Sequence, residues 1–321
     1  MRKHSLLALA ALALLSVSAE RGEAFGSGDV GTSGAQFLTI APAARPAAMG
    51  EAFSGVADDI NSIYYNPAGL GTLKMVEVAG SHTSLFQDIA YENAAVAVPL
   101  LAWKKDKRPK NAYGTLAFSV SSLSVSKIER RGTTETDTPT ETFGASDFAY
   151  AMSYGVTVPE TKLSLGVTAK YIDQQLDRAK STAFGMDLGS LYQTGRARFG
   201  FGVRNVGTKT KFVAQADPLP MTIYAGSGYK FTDNWLGAVE VDLPRDNGAQ
   251  LAFGTEYKHD FGDKVVGAAR FGYNTKNTGA GGLSGLAFGM GLGLNNFGFD
   301  FALVPFGDLG TSYKYTMQVK F

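Results

Sequence analysis

The chain has 321 residues and a formal net charge of +1, with 30 Lys and Arg against 29 Asp and Glu, so no clustered basic excess argues for nucleic acid as a partner. It contains no Cys, which excludes disulfides, thiolate chemistry and zinc–thiolate sites. Gly stands at 39, Phe at 21 and Tyr at 14, yet mean hydropathy is −0.04, so apolar and polar residues are finely mixed and not gathered into spans.

Residues 1–24 read as a signal peptide. Met1 to His4 is basic, Leu6 to Val17 is apolar apart from Ser16, and small residues offer cleavage after Ala19 or Ala24. The run is shorter than the roughly 20 residues a membrane helix needs, so export is expected. Gly26 to Gly31 fits G-x-G-x-x-G, but no strand precedes it, and a glycine-rich lead is the better reading than a dinucleotide site.

Residues 25–73 do not alternate. Pro46, followed by Met49 and Gly50, begins a short helix; Asp58 and Asp59 cap the turn that follows; Asn66-Pro67 starts another turn. Small residues at 47, 48, 50, 52, 54, 55 and 57 permit close packing, which suits a segment lying inside a barrel.

From 74 to 321 the period is two. Phe148, Tyr150, Met152 and Tyr154 alternate with Ala149, Ala151 and Ser153; Leu286, Phe288, Met290 and Leu292 alternate with Gly285, Ala287, Gly289, Gly291 and Gly293. Strands are expected near 74–84, 89–101, 111–122, 147–159, 162–176, 181–193, 197–207, 219–230, 235–243, 249–259, 264–273, 283–293, 296–304 and 312–321, about fourteen in all, an even number as bacterial barrels require. A soluble sandwich also alternates, but these segments reach the 9 to 11 residues or so of a tilted membrane strand, whereas soluble strands cluster near about five or six. Short connections at 159–162, 193–197, 230–235, 259–264 and 293–296 trade with longer ones at 122–147, 207–219, 273–283 and 304–312, the rhythm of periplasmic turns and extracellular loops. The basic turn Lys104 to Lys110 interrupts that rhythm as a solvated hairpin or a contact surface. The fold expected is therefore all-β, a transmembrane antiparallel up-and-down barrel with an N-terminal hatch in its lumen.

Lys170, Asp187, Arg198, Arg204, Glu240, Asp242, Glu256, Lys258, Arg270, Asp300 and Lys314 fall on the lumen face, since a charge facing lipid at mid-depth costs about 2–4 kcal/mol. Interleaved signs make a pairing network that anchors the hatch the preferred reading over an ion-selective pore. Asp58 and Asp59 lack the patterned oxygen ligands of a calcium site, and capping or pairing with a lumen Arg is preferred. The exposed loop Ser124 to Ala145 reads as a solvated surface or a recognition lid. His82 and His259 lie far apart, and neither H-E-x-x-H nor G-x-S-x-G occurs, so no catalytic, metal or cofactor residue is assigned and no enzymatic reaction is expected.

The run APAARPAAMGEAFSGVADDINSIYYNPAGLGTL, residues 41–73, resembles the N-terminal block of the PorV/PorQ-like outer-membrane proteins, related to FadL-type transporters of long-chain fatty acids. The resemblance rests most on Arg45, Met49, Gly50, Asp58, Asp59, Asn66, Pro67, Ala68 and Gly69, and continues through the barrel pattern. It implies a fourteen-stranded outer-membrane barrel plugged from the periplasmic side by residues 25–73, with lipid and the barrel-assembly machinery as partners. Tyr313, Tyr315 and terminal Phe321 resemble the signal that machinery recognises. Two functions follow from the resemblance: passage of a small hydrophobic ligand, or a non-transporting scaffold that holds exported cargo at the surface, as in type IX secretion. The chain is shorter than the FadL type, with smaller extracellular loops to build a capture pocket.

Overall fold

A computed structural model describes residues 30–86, 89–100, 113–133 and 137–321. The signal peptide, Gly26 to Asp29 and the Lys104–Lys110 turn lie outside the described residues.

Sixteen strands form: β1 (Glu77–Ser84), β2 (Ala90–Pro99), β3 (Thr115–Arg130), β4 (Glu141–Thr157), β5 (Leu163–Leu176), β6 (Ala179–Thr194), β7 (Ala197–Gly207), β8 (Thr210–Phe212), β9 (Gln215–Asp217), β10 (Thr222–Lys230), β11 (Trp235–Pro244), β12 (Gln250–Gly262), β13 (Val265–Asn274), β14 (Leu286–Leu294), β15 (Phe297–Pro305) and β16 (Thr311–Lys320). All but β8 and β9 close into one antiparallel ring in chain order, sealed where β1 meets β16 with Glu77 opposite Lys320. The ring thus has fourteen strands. Closure pairs the strands on both sides around the ring, apart from the ends of β3 and β4 that run beyond their neighbours.

Alternation fixes which side chains face in. Outward positions carry large apolar groups, among them Met152, Phe184, Phe201, Met290 and Met317, all exposed, and Tyr150, Tyr171 and Phe184 form a ladder across β4, β5 and β6. Inward positions carry Gly, Ala, Ser and Thr, which makes the bore wide enough for another segment. At one end of the ring the connections at 158–162, 195–196, 231–234, 263–264 and 295–296 are turns of two to five residues. At the other, the β7–β10 connection carries the β8–β9 hairpin and the β13–β14 connection runs over 275–285.

The expected loop from Ser124 to Ala145 is corrected. β3 and β4 continue as a paired ribbon to Arg130 and from Glu141, leaving 131–140 as the connection. A register shift between Val125 and Ile128, with Lys127 at φ 59°, breaks the alternation there and hid the strands.

Residues 33–73 lie within the ring. A 3₁₀ turn (Gln36–Thr39), α1 (Ala44–Ala48), α2 (Ser62–Tyr65) and a second 3₁₀ turn (Pro67–Thr72) follow one another, most of them buried. Gly34 and Gln36 bond Pro218 and Asp246 at the loop end, and the Gly71 carbonyl accepts from Thr157 at the turn end. The segment therefore runs the height of the bore.

Candidate functional site

Irregular backbone enclosed by a barrel must find partners for its N–H and C=O groups, because an unpaired buried one costs as much as a lost hydrogen bond. Strands from all round the ring supply them. The Ala44 N–H donates to Thr316 Oγ1 at 2.9 Å, the Phe53 and Ser54 N–H groups both donate to Glu240 Oε2 at 2.8 Å, and the Ile60 N–H donates to Glu77 Oε2 at 2.9 Å. Arg198, Lys314 and Asn274 donate to the carbonyls of Val56, Ala41 and Gly50. Ser81 donates to the Pro42 carbonyl.

Charge locks the centre. Arg45 Nη1 lies 2.6 Å from Asp58 and 2.5 Å from Asp59, while its Nε lies 2.8 Å from Glu256 on β12. Glu256 also pairs with Arg270 at 2.6 Å, and Arg270 continues to Asp300 at 2.7 Å. A second chain joins Arg204 to Glu240 at 2.6 Å and Asp242 at 3.3 Å. Lys170 meets Asp187 at 2.7 Å, and Lys258 meets Glu256 at 3.2 Å. The expected pairing of Asp58 and Asp59 with an arginine of the wall is corrected: both turn to Arg45 of their own segment, and Asp59 Oδ1 also accepts the Asn61 N–H. Desolvation pushes the Asp58 carboxyl up, but the Arg45 guanidinium, helped by Lys258 and Arg198, outweighs it and holds the group at about 2.

That depressed value sets a pH window. Stability from the Arg45–Asp58 contact is fully present above the ordinary carboxylate value near 3.9 or so and is lost as pH falls through the folded value. Protease protection of residues 33–73 is therefore expected to hold from neutral pH down to about 4 and to fail progressively toward about 2. Failure beginning near neutrality would contradict the pairing.

The remaining motif residues close the turn end. Asn66 donates to Ser54 and Ser190 carbonyls at 2.9 and 3.0 Å and accepts the Ala68 N–H at 3.2 Å, so it caps the Pro67–Thr72 turn while tying it to β6. Asn66→Ala removes the hydrogen bonds to the Ser54 and Ser190 carbonyls and from the Ala68 N–H, and a loss of about 1–3 kcal/mol in denaturant unfolding is expected. Ala68 and Gly69 pack without a gap, Gly69 against Ala57 and Ser62. Met49 and Gly50 press on Gly254 and Gly272 of the wall.

Space remains beside the segment, including a recess of about 220 Å³ bordered by Ile40, Ala47, Leu85, Phe86, Val304 and Phe306. A cavity of about 40 Å³ lies between the segment and the inner wall, bordered by Ala79, Ser81, Asn93, Ser119 and Ala149, room for on the order of three waters. At the loop end a recess of about 350 Å³ is lined by charged and polar groups including Glu51, Arg204, Asp242, Asp246 and Lys276. His82 faces outward, 2.6 Å from Glu92 and stacked on Tyr315, and His259 packs against Phe261. Tyr313 and Tyr315 also face outward, and the exposed Phe321 donates its N–H to Val76. Among the described residues no group of His, Asp and Glu could hold a metal ion.

Comparison with known proteins places this geometry. A family model described as Type IX secretion system protein PorV matches residues 27–244. None of the curated proteins compared matches the chain. The toluene transporter TbuX of Ralstonia pickettii is 14% identical with a TM-score of 0.53, over 88% of this chain and 98% of that one. The toluene transporter TodX of Pseudomonas putida is 11% identical with a TM-score of 0.53, over 87% and 96%. A FadL homologue of Pseudomonas aeruginosa is 10% identical with a TM-score of 0.52, over 87% and 98%. At these identities the likeness establishes the fold.

Proposed function

Because the chain belongs to the PorV family, and is an outer-membrane β-barrel, we propose that it is a sealed scaffold that holds exported proteins at the cell surface as part of a type IX-like secretion route. The carrying observation is the bore: residues 33–73 run its height, ion pairs fix them, and the cavity between them and the wall beside Ala79 and Ser119 is about 40 Å³. A barrel stoppered by its own chain acts through its surfaces, with the loop end and the ribbon of β3 and β4 outside the cell and the signal peptide, residues 1–24, removed. Passage of small hydrophobic compounds is the second reading; it has the fold likeness to the toluene transporters behind it and requires the segment to leave its seat.

A deletion strain separates the two. Exported proteins destined for the surface are expected to accumulate in the periplasm, while uptake of toluene and of long-chain fatty acids stays at the parental rate. Normal surface export together with impaired uptake would reverse the assignment.

A further inference from the structure

Three inward side chains on neighbouring strands meet in an arrangement that anchoring alone does not require. Lys170 on β5, Asp187 on β6 and Asn205 on β7 are 8%, 0% and 4% exposed. Lys170 Nζ lies 2.7 Å from Asn205 Oδ1 and 2.7 Å from Asp187 Oδ2. Asp187 Oδ1 accepts the Asn205 backbone N–H at 2.7 Å, so one carboxylate touches both other residues. Asn205 stands at the bulge where β6 and β7 shift register, with its backbone left-handed at φ 59°. Its amide nitrogen donates to the Pro220 carbonyl at 3.2 Å, which turns the carbonyl oxygen toward Lys170. A primary amine, a carboxamide and a carboxyl group fixed together away from bulk water are the nucleophile, the acyl group and the proton carrier of an acyl transfer.

We propose that Lys170 and Asn205 join in an intramolecular amide cross-link that forms without an enzyme, Asp187 carrying the protons. Asp187 takes a proton from the Lys170 ammonium. The freed Nζ lone pair attacks Asn205 Cγ, making the Nζ–Cγ bond while the carbonyl π pair moves onto Oδ1. When that pair returns, the Cγ–Nδ2 bond breaks; Asp187 passes its proton to Nδ2, which departs as ammonia, and then takes and keeps the surplus Nζ proton. One ammonium, one carboxylate and one carboxamide thus become a secondary amide, a carboxylic acid and ammonia, with no oxidant or reductant. The product replaces a buried charge pair by a neutral amide and a protonated carboxyl group, which a low-dielectric site favours. The bond ties β5 to β7 across β6.

The mass of the protein purified from membranes distinguishes the two states of this site. The expected value is one ammonia below that of the processed chain, and digestion yields a branched peptide joining the fragments that carry Lys170 and Asn205. Lys170→Arg and Asp187→Asn are expected at full mass with linear peptides only. Asn247-Gly248 could lose ammonia as a succinimide; a loss that persists in Lys170→Arg without a branched peptide would overturn the cross-link, as would wild-type protein of full mass. The wild-type digest is read by itself, so the test holds even where a variant fails to fold.

Discussion

Arg45→Ala is expected to unseat the N-terminal segment and cost about 3–5 kcal/mol, the range for removing one partner of a buried ion pair. The Arg45 fork holds Asp58 and Asp59 on one side and Glu256 on the other, and its guanidinium lies 5.1 Å from the Phe53 ring centroid. Glu256 keeps Arg270 after the change, but Asp59 is buried and has no second cation within ion-pair distance among the described residues. Arg45→Lys should restore only part of the loss, since a point charge cannot span three carboxylates as a planar fork does. Denaturant unfolding in detergent, read beside proteolysis of residues 33–73, checks both. A change below about 0.5 kcal/mol, the scatter of an ordinary surface substitution, would refute the central role of Arg45.

Gly272→Leu is expected to open the barrel. A Cβ at Gly272 would fall on Gly50 N and Met49 C, one at Gly254 on the Met49 carbonyl, and one at Gly289 on Ala48 Cβ. These three glycines on β12, β13 and β14 make the track against which the end of α1 rests. The obstructing atoms at Gly272 are backbone, so no rotamer change relieves the clash, and a leucine forces the segment off the wall. The outer face is untouched because position 272 points inward. Planar-bilayer recordings should show stepwise conductance for Gly272→Leu and none for wild type or for the outward Phe271→Leu. A silent Gly272→Leu barrel with its segment still protected would show that the track does not position α1.

The ring was legible because closure makes every strand two-faced, and two-faced strands print their period on the residues. Legibility failed where burial stops dictating the pattern: the upper parts of β3 and β4 rise beyond their neighbours on both sides, and the β8–β9 hairpin has three-residue strands too short to show a period. In the bore, charges within an apolar pattern announced that Arg204, Glu240 and Glu256 face inward, while Arg45 was marked only by the family resemblance. Their pairing did not appear, because Arg45 and Glu256 are 211 positions apart and only the closed ring brings them together. Asn205 escaped notice as an uncharged residue; the signal was the broken alternation of Val203-Arg204-Asn205-Val206, where the bulge lies. Thr316, Asn274 and Glu77 escaped likewise, since a single inward polar residue looks the same whether or not backbone lies opposite it.

The absence of native cysteine gives a clean background for testing where the N-terminal segment sits. Single cysteines at Ala44, Ala48 and Ala68, each fully buried, can be challenged with a membrane-impermeant maleimide in folded and heat-denatured protein. All three are expected to stay unlabelled until the barrel is melted, while a cysteine at exposed Val213 in the β8–β9 hairpin reacts at once. Prompt labelling at 44, 48 and 68 in the folded barrel would mean that the bore stands open.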